Sequence, residues 1–163
     1  MKYLKKVETI LKSWGTIYTG CSAVQVDNVE NAIGQKLPFC YREFLENFGY
    51  RMDRKDSESR GGFVGISVFY GNVYGGYTNK DGLLNQLLED NREDLIRLID
   101  ENFFVFYSSQ GIIFAFFYLN ESDDPVVYGY IEGSEKKTFP KLANTLSEFF
   151  EGYLQGGTPL KNL

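Results

Sequence analysis

The side chains in this sequence that could do chemistry are carboxylates, because 22 aspartates and glutamates stand beside no histidine at all. Without histidine there is no Ser-His-Asp or Cys-His nucleophile system, no histidine-ligated zinc, and no imidazole base near neutral pH. The most concentrated acids are Glu121, Asp123 and Asp124, at the entrance to a strand. Such a group could bind a divalent cation, or one member could act as an acid of raised pKa. Ser122-Asp123-Asp124-Pro125 is, however, also an ordinary turn sequence. The fixed acid spacing of a calcium loop is missing both here and between Asp53 and Gly61. The turn reading is adopted, and no catalytic residue, metal or cofactor is expected.

Three other groups invite a chemical reading. Glycines at 61, 62, 65, 71, 75 and 76 could cradle a phosphate, yet neither a P-loop nor a dinucleotide fingerprint is present. Tyr70, Tyr74 and Tyr77 could stack on bases, but no basic residues are interleaved among them to draw in a nucleic acid. They suit a protein interface better, since tyrosine gives a large contact area at little entropic cost. Cys21 and Cys40 lack CxxC spacing and read as reduced, half-buried thiols, not as a metal or disulfide framework.

Charge and length narrow the partners. A chain of 163 residues is most simply one domain, with its core over residues 2–154 and a frayed tail at 155–163. The formal charge of −5 disfavours a nucleic-acid binder and an anionic membrane surface, and favours a basic partner protein. The N-terminal MKYLKKVETILKSWG has no apolar signal region, and no apolar run is long enough to span a bilayer. A cytoplasmic location is expected.

The elements that position these residues follow from periodicity. Residues 2–12 predict an amphipathic helix, Trp14 staples it to the body, and 15–25 read as a connector. Asp27, with Glu30 three positions on, predicts a capping box for a helix that buries Val26, Val29 and Ile33 and ends at Gly34. Pro38 suits the first turn of the next helix, whose Tyr41, Phe44, Leu45 and Phe48 form one stripe. Its back is charged, with Arg42, Glu43 and Glu46, and Gly49 stops it. Arg51 to Gly62 reads as an exposed loop, followed by short glycine-broken strands.

Asp81 predicts a helix to about Ile99, with Leu84, Leu87, Leu88, Leu95, Leu98 and Ile99 inward. Two strands, near 102–108 and 112–119, flank a turn in which Gly111 takes positive φ. On the first, Phe103, Val105 and Tyr107 should face one way, and Phe104 and Phe106 the other. Both faces are apolar, so the second requires a cover: a loop, a helix or a partner. A strand follows Pro125, and a last helix from about Pro140 carries Leu142, Leu146, Phe149, Phe150 and Tyr153. The order predicts an α+β fold, with one mostly antiparallel or mixed sheet and helices packed mainly on one face.

The series Glu30, Gly34, Leu37, Pro38, Tyr41, Phe44, Leu45 and Gly49 resembles the helical signature of the SUKH superfamily. That superfamily includes yeast cell-wall-assembly regulators and many bacterial immunity proteins. The aromatic strand pair, the Asp124-Pro125-Val126 strand entry and the Ser147-x-Phe149-Phe150 helix extend the resemblance over most of residues 26–154. Phe48-Gly49 stands where the family often has Asn-Gly. The resemblance implies a non-catalytic immunity protein that neutralises a cognate toxin, a nuclease or nucleic-acid deaminase, without touching nucleic acid itself. The alternative it leaves open is a regulatory scaffold. For the partner-binding surface the residue chemistry suggests Tyr70, Tyr74, Tyr77, Glu121, Asp123 and Asp124.

Overall fold

Two apolar faces of one short sheet set the architecture, which a computed structural model describes for residues 1–53, 79–99 and 102–163. Helix α1 (Lys5–Ser13) turns Val7 and Leu11 inward beneath Leu4. Trp14 closes it, half-buried against the same cluster. The expected connector is more ordered than its sequence suggests. Strand β1 (Ile17–Thr19) is followed after two residues by the Ser22 cap of α2 (Ala23–Ile33).

The predicted cap at Asp27 is therefore corrected. Ser22 and Gln25 form the reciprocal box: the Ser22 hydroxyl accepts from the Gln25 amide, and the Gln25 side chain accepts from the Ser22 amide at 2.8 Å. Starting there places Val26, fully buried, inside the helix instead of ahead of it. Gly34 ends α2 at φ +70°, as expected, and Pro38 caps α3 (Phe39–Phe48). Tyr41, Phe44, Leu45 and Phe48 are all buried. The first residues of the expected loop instead form β2 (Arg51–Asp53), antiparallel to β1.

Between β1 and α2 the chain passes close to the end of α3. A Cβ on Gly20 would lie 1.6 Å from the backbone oxygen of Glu46, while the next amide, of Cys21, donates to the Leu45 carbonyl at 2.8 Å. Gly20→Ala is accordingly expected to cost about 2 kcal/mol, since backbone must separate from backbone. A urea midpoint equal to that of the wild type would contradict this contact.

Helix α4 (Asn79–Glu89) and the short α5 (Glu93–Ile96) replace the single helix predicted to Ile99. The break has a local cause. Asn91 adopts φ +56°, the Asp90 carboxylate accepts from the Tyr130 hydroxyl at 2.6 Å and the Gly133 amide at 2.9 Å, and Arg92 reaches the carbonyls of Ser134 and Lys136. Leu83, Leu87 and Leu95 are buried, whereas Leu88 and Leu98, expected inward, are exposed.

The main sheet contains β3 (Phe103–Ser109), β4 (Ile113–Tyr118), β5 (Val127–Ile131) and β6 (Lys141–Ala143), antiparallel in that order. Gln110 and Gly111 turn the first hairpin, both at positive φ. The β3–β4 register shifts between Val105 and Tyr107, so β3 bulges at Phe106. The bulge resets the alternation: Tyr107 joins Phe104 and Phe106 on one face, not Phe103 and Val105 on the other.

On β6, Leu142 fills the core from a strand and not from the predicted helix. Helix α6 (Leu146–Leu154) begins only after Thr145, whose hydroxyl accepts from the Glu148 amide. Gly156 and Gly157 end it at positive φ. The tail is docked instead of frayed. A 3₁₀ turn (Thr158–Asn162) brings Leu160 and Leu163 against the core, and the Asn162 amide donates to the Leu142 carbonyl.

Helices α1, α2, α3 and α6 share one face of the sheet with Phe104, Phe106 and Phe117. The second face, Phe103, Phe114, Phe116 and Tyr130, is covered by leucines of α4 and α5. The fold is α+β. No helix among the described residues is long and apolar enough to cross a membrane.

Candidate functional site

The joint between α2 and α3 is built on a buried carboxylate. Glu30, 4% exposed, accepts from the Leu37 amide at 3.1 Å, from the Lys36 ammonium at 2.6 Å and from the Arg42 guanidinium at 3.0 Å. Burial opposes its ionisation, but these donors outweigh burial and hold its pKa below the ordinary value. Arg42 extends the network to Glu46 at 2.9 Å and Asp27 at 3.3 Å. Asp27 and Glu30, expected to cap α2, thus both serve the helix that follows it.

Two further segments are drawn to the same corner. Glu43, on α3, accepts the backbone amides of Lys2, Tyr3 and Leu4 at 2.6, 3.0 and 2.8 Å. It thereby caps α1, whose own N-cap residue, Leu4, has no side-chain acceptor. The Cys40 amide donates to the Asp123 carbonyl at 2.8 Å and fixes the β4–β5 loop against the start of α3. Phe39 stands at this meeting point with 62% of its surface exposed. Two adjoining grooves, of about 570 and 500 Å³, both include Phe39, Arg42 and Asp123 in their walls. Leu37 and Leu119 contribute to the first, Tyr3 and Asn47 to the second.

The acidic bend divides between fold and surface. Glu121 and Asp123 are exposed, and burial of part of Glu121 raises its pKa. Asp124 is half-buried and accepts both the amide and the hydroxyl of Ser147, at 2.9 and 2.7 Å, at the start of α6. Among the described residues no group of three or more histidines, cysteines or acids could hold a metal ion. Tyr70, Tyr74 and Tyr77, like the glycines around them, lie outside the described residues.

Both cysteines are free thiols, and both are buried instead of half-buried as expected. Burial pushes the Cys21 thiol up to about 11 and raises that of Cys40 further, with Asp124 adding to the effect, so neither is a ready thiolate.

Phe39 and Arg42 were not singled out by sequence reasoning as site residues. The signal existed for Phe39: it lies off the Tyr41, Phe44, Leu45, Phe48 stripe, so the helix that buries that stripe must expose it. An exposed ring beside a carboxylate, on a corner braced by ion pairs, is suited to recognition.

A family model described as SMI1 / KNR4 family (SUKH-1) matches residues 20–152. Comparison with curated proteins and with solved structures gives no significant match.

Proposed function

The chain belongs to the SMI1/KNR4 family (SUKH-1), and on that premise we propose that it is a non-catalytic immunity protein. It binds a cognate bacterial toxin of nuclease or nucleic-acid deaminase type in the cytoplasm and blocks it by stoichiometric occlusion. The observation that carries this reading is the braced corner where exposed Phe39 and Asp123 meet across two grooves. Rigid walls reduce the entropy lost on association, and an exposed aromatic supplies the apolar anchor that interfaces need. The net charge of −5 complements an enzyme that itself binds an anionic polymer, and so would speed the encounter. The proposed contact surface comprises Tyr70, Tyr74, Tyr77, Glu121, Asp123 and Asp124.

The test uses the tagged full chain and the toxin domain encoded beside it, combined at low and high salt, with nuclease or deaminase activity measured on the mixture. A one-to-one complex that silences the enzyme, formed faster at low salt, is the expected result. A complex that leaves activity intact would move the assignment to a regulatory scaffold. No complex at either salt concentration would overturn the proposal.

A further inference from the structure

We infer that Phe39 and Asp123 together receive one arginine side chain of the partner protein, the guanidinium lying over the phenyl ring while its N–H groups donate to the carboxylate. This rests on the proposal above that the partner is a protein with basic surface, and it names the chemistry by which the corner recognises it.

Three observations lead there. First, the two residues are held side by side by the hydrogen bond from the Cys40 amide to the Asp123 carbonyl, and both line both grooves. Second, the side-chain cations of the corner are engaged within it, while Met1 with its N-terminal ammonium lines the second groove. Arg42 is bound by Glu30, Asp27 and Glu46, and Lys36 by Glu30. The Lys2 ammonium donates to the Tyr3 hydroxyl at 2.9 Å, lies 4.7 Å from that ring's centroid, and is also attracted by the Asp123 carboxylate. Third, Asp123 is exposed, and the hydrogen bond its carboxylate accepts is a long one, 3.5 Å from the Tyr3 hydroxyl. The corner thus presents a carboxylate with one long hydrogen bond of its own beside an exposed aromatic ring.

Arginine fits both features at once. Its planar guanidinium stacks on an aromatic ring and still directs paired N–H donors in its own plane to a carboxylate, whereas a lysine ammonium is a point charge. The two grooves leave room for the residues on either side of that arginine.

The experiment is calorimetric titration of the full chain with the adjacent toxin domain, comparing wild type, Phe39→Ser, Asp123→Asn and the double variant. Each single change should weaken Kd roughly 10- to 30-fold, the range of an interface anchor. The double variant should bind about as weakly as the worse single variant, because both changes remove the same guest. Thermal midpoints should stay within about 2 °C of wild type, since both side chains are exposed. Wild-type affinity in the singles, or losses that multiply in the double, would overturn the shared-arginine inference while leaving the neutralisation reading intact. If the wild type itself forms no complex, that reading is overturned and this inference falls with it.

Discussion

Glu30→Ala should lower the stability of the protein by about 3 kcal/mol, because one truncation leaves the Leu37 amide without its acceptor and the half-buried Arg42 without its most deeply buried partner. For a chain of this size that corresponds to a thermal midpoint lower by roughly 10 °C. The exposed pairs in the same network contribute much less, since solvent screens them. Glu30→Gln separates charge from geometry: the amide oxygen still accepts from Leu37, so its cost should be about half as large.

The sign of the pH dependence follows from the depressed pKa of Glu30. Its stabilisation is complete above the ordinary glutamate value of about 4.3 and is lost as pH falls through the lower folded-state value. Urea midpoints for wild type and Glu30→Gln should therefore lie furthest apart near neutral pH and converge as the solution is acidified below about pH 4. Parallel curves down to acid pH, or a wild-type midpoint for Glu30→Ala, would show that the carboxylate is not what holds the α2–α3 joint. Because that joint sets the angle at which Phe39 leaves the surface, the alanine variant should also weaken partner binding at temperatures where it is folded.

Much of the scaffold was legible because local rules and tertiary need agree. The stripe on α3, the left-handed Gly34, the Gln110–Gly111 hairpin and the double-faced aromatic strands each have one solution. Where two local solutions compete, sequence cannot choose. Ser22 with Gln25 and Asp27 with Glu30 are both capping boxes by type and spacing, and the burial of Val26 and Glu30 decides between them. The break at Asn91 and the strand at Leu142 are likewise decided by contacts with residues some 20 to 45 positions away. Asp123 was legible as an exposed acid. Its pairing with Phe39 was not, because a hydrogen bond between residues 40 and 123 makes it.

Phe106→Ala should cost about 4 kcal/mol, the usual cost of emptying a phenylalanine site in a packed core. The side chain is fully buried, and its ring lies 5.1 to 6.2 Å, centroid to centroid, from those of Phe149, Phe117, Phe150 and Tyr41. Those four come from α6, β4 and α3, so no single element can move inward to fill the space. The bulge raises the stake further. Phe106 sits at the register shift of β3, and the bulge is what brings Phe106 and Tyr107 to the same face. Removing the ring keeps the irregular register and discards the packing that surrounds it.

Phe106→Leu should lose only about 1 to 2 kcal/mol, since most of the volume remains. Phe116→Ala, on the opposite face, should cost a similar amount to Phe106→Ala: its ring is also fully buried, within 6 Å of Phe103 and Phe139. Urea denaturation of the three variants, with unchanged m-values as the sign of an intact transition, measures all of this. A loss below about 1 kcal/mol for Phe106→Ala would mean that the site collapses easily. The bulge would then be a feature that the aromatic core tolerates and not one that it requires.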